Sequence, residues 1–266
     1  MKNIIAPMLL VLTIGILGFV NFIYPLFSIF SQGDSLDFNS YRYFFIIACY
    51  ICVTFIVWTE RENLASWNLD RLSLLVLVLF AVVRVNLQIP YEQNYKNLII
   101  FLGLSLLAVC AVNWKKIPQT SMRWALIGLL SCVFVIPLAF IESQLLEKYA
   151  TSSILYQTKF LSYAAQNLLY TASFVAPYEE IIIRGVFWGQ LRRWNISDNR
   201  IVWIQGFLFW LLHPWQILTP VTFFLTLPAL ILILSSLVKY SKQLFPSLIS
   251  HTLINFLSPI LISFIF

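Results

Sequence analysis

Two glutamates, one arginine and both histidines of this sequence lie inside long apolar stretches. Glu179, Glu180 and Arg184 lie within PYEEIIIRGVFWGQLRRW, His213 lies within FLFWLLHPW, and His251 lies within HTLINF. Ionisable side chains inside an apolar span cost about 2.5–3.5 kcal/mol each to insert into a membrane, and they therefore mark functional positions. Carboxylates and imidazoles are also the groups that take a proton from water or bind a catalytic metal ion.

Helical spacing places these groups on shared faces. Glu180 and Arg184 are four residues apart, so on a helix they face the same side and can form an ion pair. Glu179 lies about 100° around that helix, so it is not part of this ion pair and is available for another role. His251 and Asn255 are also four residues apart and share a face in the same way.

The depth of these residues in their apolar stretches indicates one common site. Glu180, His213 and His251 lie 12, 13 and 9 residues from a basic residue at the edge of their own stretch. At 1.5 Å per residue, each would lie roughly 14–20 Å from the same membrane edge. We therefore expect three helices to bring polar side chains to one level of a helix bundle. The edge residues are Arg192, Arg200 and Lys242.

Composition identifies the class of protein. Of the 266 residues, 60% are hydrophobic and 11% are charged, and the mean hydropathy is +0.85. Soluble domains average about 45–50% apolar and about 25% charged residues. The composition therefore predicts an integral membrane protein surrounded by lipid, and it excludes soluble enzymes, secreted disulfide scaffolds and nucleic-acid-binding domains. The formal net charge of +6 is spread over short gaps between apolar runs, as topology signals are.

The apolar runs predict an all-α, polytopic transmembrane helix bundle with its catalytic core in the C-terminal half. A transmembrane helix needs about 20 mostly apolar residues, and nine segments qualify, of which two are short enough to leave eight spans open. The first resembles a signal peptide, but no small-residue cleavage site follows it, so we expect a retained helix. The segments are 4–30, 43–58, 72–89, 97–113, 124–141, 166–191, 201–217, 219–238 and 244–266.

The basic residues predict a multi-pass topology with the N-terminus in the cytoplasm. In that orientation 11 Lys and Arg residues fall on the inside and four on the outside, as the positive-inside rule requires. Short loops favour a bacterial plasma membrane. The inside residues are Lys2, Arg61, Arg71, Lys115, Lys116, Arg123, Arg192, Arg193, Arg200, Lys239 and Lys242, and the outside residues are Arg42, Lys96, Lys148 and Lys159.

Three further features lie outside the motifs, and two of them leave alternatives open. The polar gap 142–166 is either an interfacial amphipathic segment over one entrance to the bundle or a plain loop. Arg84, inside the third predicted span, either extends its charged end to the interface, pairs with Glu92, or has a functional role. The four cysteines lie in apolar stretches and are interpreted as packing residues.

Three motifs in order give the sequence a recognisable pattern. They are Glu179-Glu180-x-x-x-Arg184-Gly185, Phe209-x-x-x-His213 and His251-x-x-x-Asn255. This pattern resembles the CPBP family of intramembrane proteases, which includes the CAAX prenyl endopeptidases and the bacterial proteins called abortive-infection or bacteriocin-immunity proteases. The resemblance covers about residues 125–266. It divides the chain into N-terminal transmembrane helices of unassigned role (1–123) and a protease-like core (124–266).

The resemblance implies a role for each motif residue. Glu179 would activate a water molecule with assistance from His213. Glu180, the second carboxylate of the catalytic set, would hold the site together with its arginine partner, while His251 and Asn255 would complete it. The implied activity is that of an intramembrane endopeptidase, a hydrolase of peptide bonds. Its substrate would be a peptide or protein, prenylated or embedded in the membrane.

Two chemical schemes are compatible with these residues. Without a metal, Glu179 and His213 act as general base on a water, and His251 and Asn255 donate hydrogen bonds to the oxyanion. With a divalent metal such as zinc as cofactor, His213, His251 and Glu179 are its ligands and one position stays open for water. Because the sequence has no HExxH motif and Asn255 is a poor zinc ligand, the metal-free scheme is favoured.

Two other classes of protein use the same residue types. A proton-coupled transporter would use the buried carboxylates and histidines as a relay, but the sequence shows no inverted repeat. A non-enzymatic immunity protein would bind a peptide or a membrane partner without cleaving it. Loss of the Glu179 carboxylate would abolish peptide cleavage by a protease, whereas it would leave the phenotype of such a binding protein intact.

Overall fold

A computed structural model of the chain describes residues 5–18, 38–88, 93–134, 136–138, 140–141, 168, 171–213 and 220–265. Within these ranges the regular structure consists of α-helices with short 3₁₀- and π-helical turns, and no β-strand is present. The all-α prediction is thereby confirmed for the described part of the chain.

The helices of the N-terminal half pack as neighbours in an order that differs from their order in the chain. Helix α1 contacts α2, α2 contacts α4, and α4 contacts α3. A 3₁₀ turn over Leu64–Trp67 lies between α2 and α3. The helices are α1 (Ile5–Gly18), α2 (Phe38–Thr59), α3 (Arg71–Gln88) and α4 (Gln93–Val112).

The C-terminal half is arranged around its last helix. Helix α9 contacts α5, α6 and α8, while α7 packs between α6 and α8. Helix α3 of the N-terminal half also contacts α6. The helices are α5 (Met122–Ser131), α6 (171–193), α7 (Asp198–Leu211), α8 (Thr222–Ser241) and α9 (Phe245–Ile265).

Helices α6 and α8 each contain a wide turn immediately before a proline. In α6 a π-helical turn over Thr171–Val175 precedes Pro177, and in α8 a π-helical turn over Thr222–Thr226 precedes Pro228. Proline cannot donate a backbone hydrogen bond and its ring displaces the carbonyl one turn earlier, so the helix widens there. A second π-helical stretch of α6, Glu180–Phe187, begins at the second glutamate.

Buried apolar side chains of both halves form one continuous core. Trp67 and Leu74 from the N-terminal half share this core with Ile181 and Trp188 of α6 and with Phe209 of α7. These five side chains are almost fully buried. The helix that carries the glutamates is therefore fixed from both halves of the chain.

The outside of the bundle is apolar. Among the described residues one helix, Thr222–Ser241, is long and apolar enough to cross a membrane, and shorter apolar helices occur at Ile47–Thr59 and Lys96–Val112. The predicted number of eight or nine spans stays a prediction. Large apolar side chains that face outward, as expected where lipid replaces water, include Phe55, Trp58, Leu79, Phe101, Leu104, Leu126, Leu130, Phe134, Trp203, Phe207 and Phe224.

Most described helix ends lie within about five residues of the predicted ends, but α5 and α7 end earlier than predicted. Helix α5 ends at Ser131 and is followed by a 3₁₀ turn, Cys132–Phe134, inside the predicted segment 124–141. The predicted segment 201–217 extends beyond Leu211, where α7 ends, so His213 follows the helix and does not lie within it. The physical reason is Pro214, because the residue before a proline is disfavoured in the α conformation. The predicted gap 142–166, Glu92 and the end of the first segment lie outside the described residues. Arg84 lies in α3, but its side chain is outside the description.

Helices α5 and α9 approach closely where α5 carries a glycine. A Cβ atom added to Gly128 would overlap the backbone carbonyl oxygen of Pro246. We expect Gly128→Ala to lower the free energy of unfolding by about 1–3 kcal/mol, because the two backbones must move apart. Thermal unfolding in detergent measures this loss. Gly15→Ala in α1 is the control, since nothing lies within 4 Å of its added Cβ, and equal stability of the two variants would contradict the packing described here.

Candidate active site

The side chains of three helices meet beside the glutamate pair of α6. Glu179 and Glu180 lie at the junction of its α-helical and π-helical parts. His213 follows the end of α7, and His251 lies on α9. The structure thus brings together the acidic and imidazole groups that the sequence placed at one depth.

The Glu180 carboxylate lies at the buried centre of this cluster. Its Oε1 accepts a hydrogen bond from Arg184 Nη1 at 2.5 Å and lies 2.8 Å from His251 Nδ1, while its Oε2 accepts a hydrogen bond from the Ser247 hydroxyl. The side chains of Glu180 and Arg184 are 0% exposed, and that of His251 is 3% exposed. A buried charge needs such partners to offset its loss of hydration, so Glu180 is fully engaged.

The Glu179 carboxylate has a different environment. Its side chain is 23% exposed, Oε1 lies 3.9 Å from His213 Nε2, and Oε2 lies 3.7 Å from His251 Nε2. Both separations exceed a direct hydrogen bond, which ends near about 3.2 Å for nitrogen and oxygen. A water molecule about 2.8 Å from each atom would bridge either pair. Glu179 is therefore the carboxylate that a water and a substrate can reach.

His213 is oriented by the end of α7. Its Nδ1 lies 2.7 Å from the carbonyl oxygen of Phe209. A carbonyl oxygen only accepts hydrogen bonds, so Nδ1 carries the proton of this contact and Nε2 faces Glu179. The spacing of four residues lets the imidazole bind a carbonyl in the last turn of the helix, where carbonyl groups have no partner within the helix.

Phe209 separates the buried ion pair from the more accessible part of the site. The guanidinium carbon of Arg184 lies 4.8 Å from the centroid of the Phe209 ring. The same ring lies 4.5 Å from the His213 ring and 6.3 Å from the His251 ring, between centroids. Phe209 is buried, so it attracts the cation through its ring face and packs against both imidazoles.

Asn255 lies one helical turn after His251 on α9 and is partly buried. The spacing places both residues on the same side of the helix. With Asn255, each motif residue that the sequence singled out lies within the described part of the chain.

Ser247 is a site residue that the sequence interpretation missed. It is fully buried and donates its hydroxyl hydrogen bond to Glu180. It lies four residues before His251, so the spacing that links His251 to Asn255 also places Ser247 on that face of α9. The signal was therefore present in the sequence.

Asn68 is a second missed residue, and no local pattern could have revealed it. Its side-chain nitrogen donates to the Arg184 carbonyl oxygen at 3.0 Å across 116 residues of sequence. Its side-chain oxygen accepts a hydrogen bond from Arg192 Nη1 at 2.8 Å. Asn68 has a left-handed backbone conformation, with φ of 58°, which asparagine tolerates better than most residues. The linker between α2 and α3 is thereby attached to α6 on both sides of Gly185.

A charged cluster fixes the basic ends of the helices. Asp198 accepts hydrogen bonds from Arg192 at 2.7 and 3.0 Å, from Trp188 Nε1 at 3.0 Å, and from Lys242. Burial alone would raise the pKa of Asp198, but the hydrogen bonds from Arg192, Lys242 and Trp188 together hold that pKa well below its usual range. The carboxylate is therefore ionised at neutral pH and links α6, α7 and the end of α8.

The two histidines of the site lie beside the same carboxylate. His213 and His251 face different oxygens of Glu179. In the part of the chain that the structure describes, no group of three or more His, Cys, Asp or Glu side chains has the arrangement of a metal site. The metal-free scheme and the zinc scheme both stay predictions.

Comparison with protein families gives one match. Residues 161–257 match the family of Rce1-like type II CAAX prenyl endopeptidases. The matched region contains all three motifs and nearly all of α6 to α9. The resemblance inferred from the motifs is confirmed for this part of the chain. No curated protein and no solved structure matches the chain significantly.

Proposed function

We propose that this chain, which is similar over residues 161–257 to the type II CAAX prenyl endopeptidases, hydrolyses peptide bonds inside the membrane. The observation that carries the proposal is the contrast between two adjacent glutamates. Glu180 is sealed in a buried network, whereas Glu179 is accessible and faces the Nε2 atoms of two histidines. The Glu180 carboxylate therefore has a structural role, and the Glu179 carboxylate is available to take a proton from water.

The reaction begins with removal of a proton from water. Glu179 accepts this proton while the water oxygen bonds to the carbonyl carbon of the substrate, and His213 holds the water from its other side. Because the Phe209 carbonyl fixes the Nδ1–H of His213, the Nε2 lone pair of His213 is directed at the water. The orientation of the base and its partner is thus set before the substrate binds.

The oxyanion that forms needs hydrogen-bond donors. His251 and Asn255 supply them in this proposal, with His251 protonated on both nitrogens, so that Nδ1–H donates to Glu180 and Nε2–H donates to the oxyanion. The carbon–nitrogen bond then breaks, and Glu179 returns its proton to the leaving amine. The products are one carboxylate and one amine, and the water oxygen ends in the new carboxylate.

The charges of the four side chains balance in this proposal. With His251 and Arg184 positive and with Glu179 and Glu180 negative, the four side chains have no net charge. A neutral group of charges is less costly to hold in an apolar bundle than an isolated carboxylate. Arg184 pairs with Glu180, so in this proposal it stabilises the site and takes no part in the proton transfers.

The family match extends to substrate class as part of this proposal. We expect a peptide or protein, presented from the membrane, in which a cysteine near the C-terminus carries a prenyl group and is followed by the residues that cleavage removes. The test compares a farnesylated peptide with its unmodified counterpart in proteoliposomes that contain the purified protein. Cleavage of the farnesylated peptide after the modified cysteine is the expected result. Cleavage of neither peptide by folded protein would contradict the proposed function, and equal cleavage would contradict the prenyl specificity.

The metal-free scheme predicts the metal content of active protein. We expect detergent-purified wild type to cleave peptide without a stoichiometric metal ion, since Glu179 and His213 activate the water themselves. Elemental mass spectrometry measures metal per chain, and the double variant His213→Ala, His251→Ala is the control for adventitious binding. About one zinc ion per wild-type chain, lost in the double variant, would overturn this scheme and make the two histidines zinc ligands.

A further inference from the structure

The Glu180 carboxylate is held by three donors, and only two of them belong to the motifs. Arg184 and His251 contact Oε1, whereas Oε2 is contacted by the hydroxyl of Ser247. Arg184 comes from the same helix as Glu180, while Ser247 and His251 come from α9. The position of the carboxylate relative to α9 therefore depends on two contacts, one for each oxygen.

These two contacts act together on the His251 ring. A carboxylate bound only through Oε1 can rotate about its side-chain bond, and the imidazole that is bonded to it can tilt with it. The Ser247 hydroxyl removes this freedom because it holds the second oxygen from the same helix that carries His251. The Nε2 atom of His251 then points at Glu179, 3.7 Å from its Oε2.

We propose that Ser247 is a positioning residue for the reaction, acting through Glu180 to hold the His251 Nε2–H toward the oxyanion. The inference rests on the proposed function and adds a residue to it. Partners that orient a catalytic histidine indirectly affect rate strongly in metal sites, where their loss costs about 10- to 100-fold. We expect loss of the Ser247 hydroxyl to lower the rate by a similar factor, because this hydroxyl fixes the orientation of the His251 Nε2–H donor in the transition state.

Helix α9 offers a matched control for this proposal. Ser250 is also fully buried, and its hydroxyl lies 2.7 Å from the Ser131 hydroxyl of α5. Removal of either hydroxyl deletes one buried hydrogen bond from the same helix, and the loss of stability should be larger for Ser247, whose partner is a carboxylate. Only the Ser247 hydroxyl contacts Glu180.

The test measures kcat, KM and Tm for wild type, Ser247→Ala and Ser250→Ala in proteoliposomes. We expect Ser247→Ala to lower kcat by about 10- to 100-fold with KM changed less than about twofold, as for an interaction made in the transition state. Ser250→Ala should keep kcat within about twofold of the wild-type value, although it also loses a buried hydrogen bond from α9. Wild-type kcat in Ser247→Ala, or an equal loss in both variants, would overturn the proposal.

A second variant keeps the test valid if Ser247→Ala does not fold. Ser247→Cys preserves the side-chain shape but replaces the hydroxyl by a weak donor. It should fold and have a kcat between those expected for Ser247→Ala and wild type, whereas a wild-type kcat would overturn the proposal. Failure of the wild-type protein to cleave any peptide would instead refute the proposed function itself.

Discussion

Glu179→Gln should reduce peptide cleavage by at least about 100-fold, the lower end of the range for loss of a general base. The amide has the size of the carboxylate but cannot take a proton from water. The variant should still accumulate in the membrane with a normal Tm, because the Glu179 side chain is partly exposed and its nearest histidine nitrogens lie 3.7 and 3.9 Å away. Cleavage assays on purified protein, together with quantitative immunoblots of membranes, measure both effects.

The control for this variant is Glu62→Gln. Glu62 is an exposed carboxylate that pairs with Lys116 away from the site, and its loss should leave both cleavage and accumulation at wild-type levels. A Glu179→Gln protein that cleaves at the wild-type rate would show that another group activates the water. Retention of a cellular phenotype without cleavage would favour the binding-protein alternative.

Arg184→Ala should have the largest effect on stability. It leaves the Glu180 carboxylate fully buried without its cationic partner, and removal of one member of a buried pair costs about 3–5 kcal/mol. The contact of the guanidinium with the Phe209 ring is lost as well. We expect a strongly lowered Tm in detergent and little protein in the membrane.

A double variant that removes both charges distinguishes the stability effect of the unpaired charge from that of the other contacts in the network. The double variant Glu180→Gln, Arg184→Met should regain much of the lost stability, because neither charge of the pair is left buried without the other, although it should stay inactive. Lys116→Ala, which breaks an exposed pair with Glu62, should not change Tm measurably. A wild-type Tm for Arg184→Ala would contradict the placement of the ion pair.

Much of the fold was predictable because apolar runs are a direct signal of membrane-type helices. The predicted segment 72–89 corresponds to Arg71–Gln88, and 219–238 corresponds to Thr222–Ser241. The end of α7 was predicted too late because hydropathy stays high through Pro214, while the helix ends where the backbone is restricted. Sequence patterns report burial more reliably than they report such ends.

The site was predictable to the extent that its contacts are local. The pairing of Glu180 with Arg184 follows from their spacing on one helix, and the common depth of Glu180, His213 and His251 indicated that three helices meet. Asn68 was beyond reach because its contact with the Arg184 carbonyl joins residues 116 positions apart. The turn that carries it lies in a short gap between two predicted spans and has no motif of its own.

The N-terminal half has a physical role that the motifs do not reveal. The Leu64–Trp67 turn packs against α6, and a Cβ on Gly189 would overlap the Trp67 ring. Glycines at 185 and 189 thus let the linker lie directly on the helix that carries both glutamates, in the manner of small residues at membrane helix contacts. The N-terminal helices therefore help to fix the geometry of the site.

The central claim, that a water molecule attacks the peptide bond directly, is tested most directly by isotope labelling. Wild-type protein in proteoliposomes is mixed with a smaller amount of farnesylated peptide in ¹⁸O-labelled water, and the first-turnover product is analysed by mass spectrometry. We predict one ¹⁸O atom in each new carboxylate, because the attacking oxygen comes from water. A first-turnover product without ¹⁸O, or the absence of cleavage by folded protein, would contradict the account.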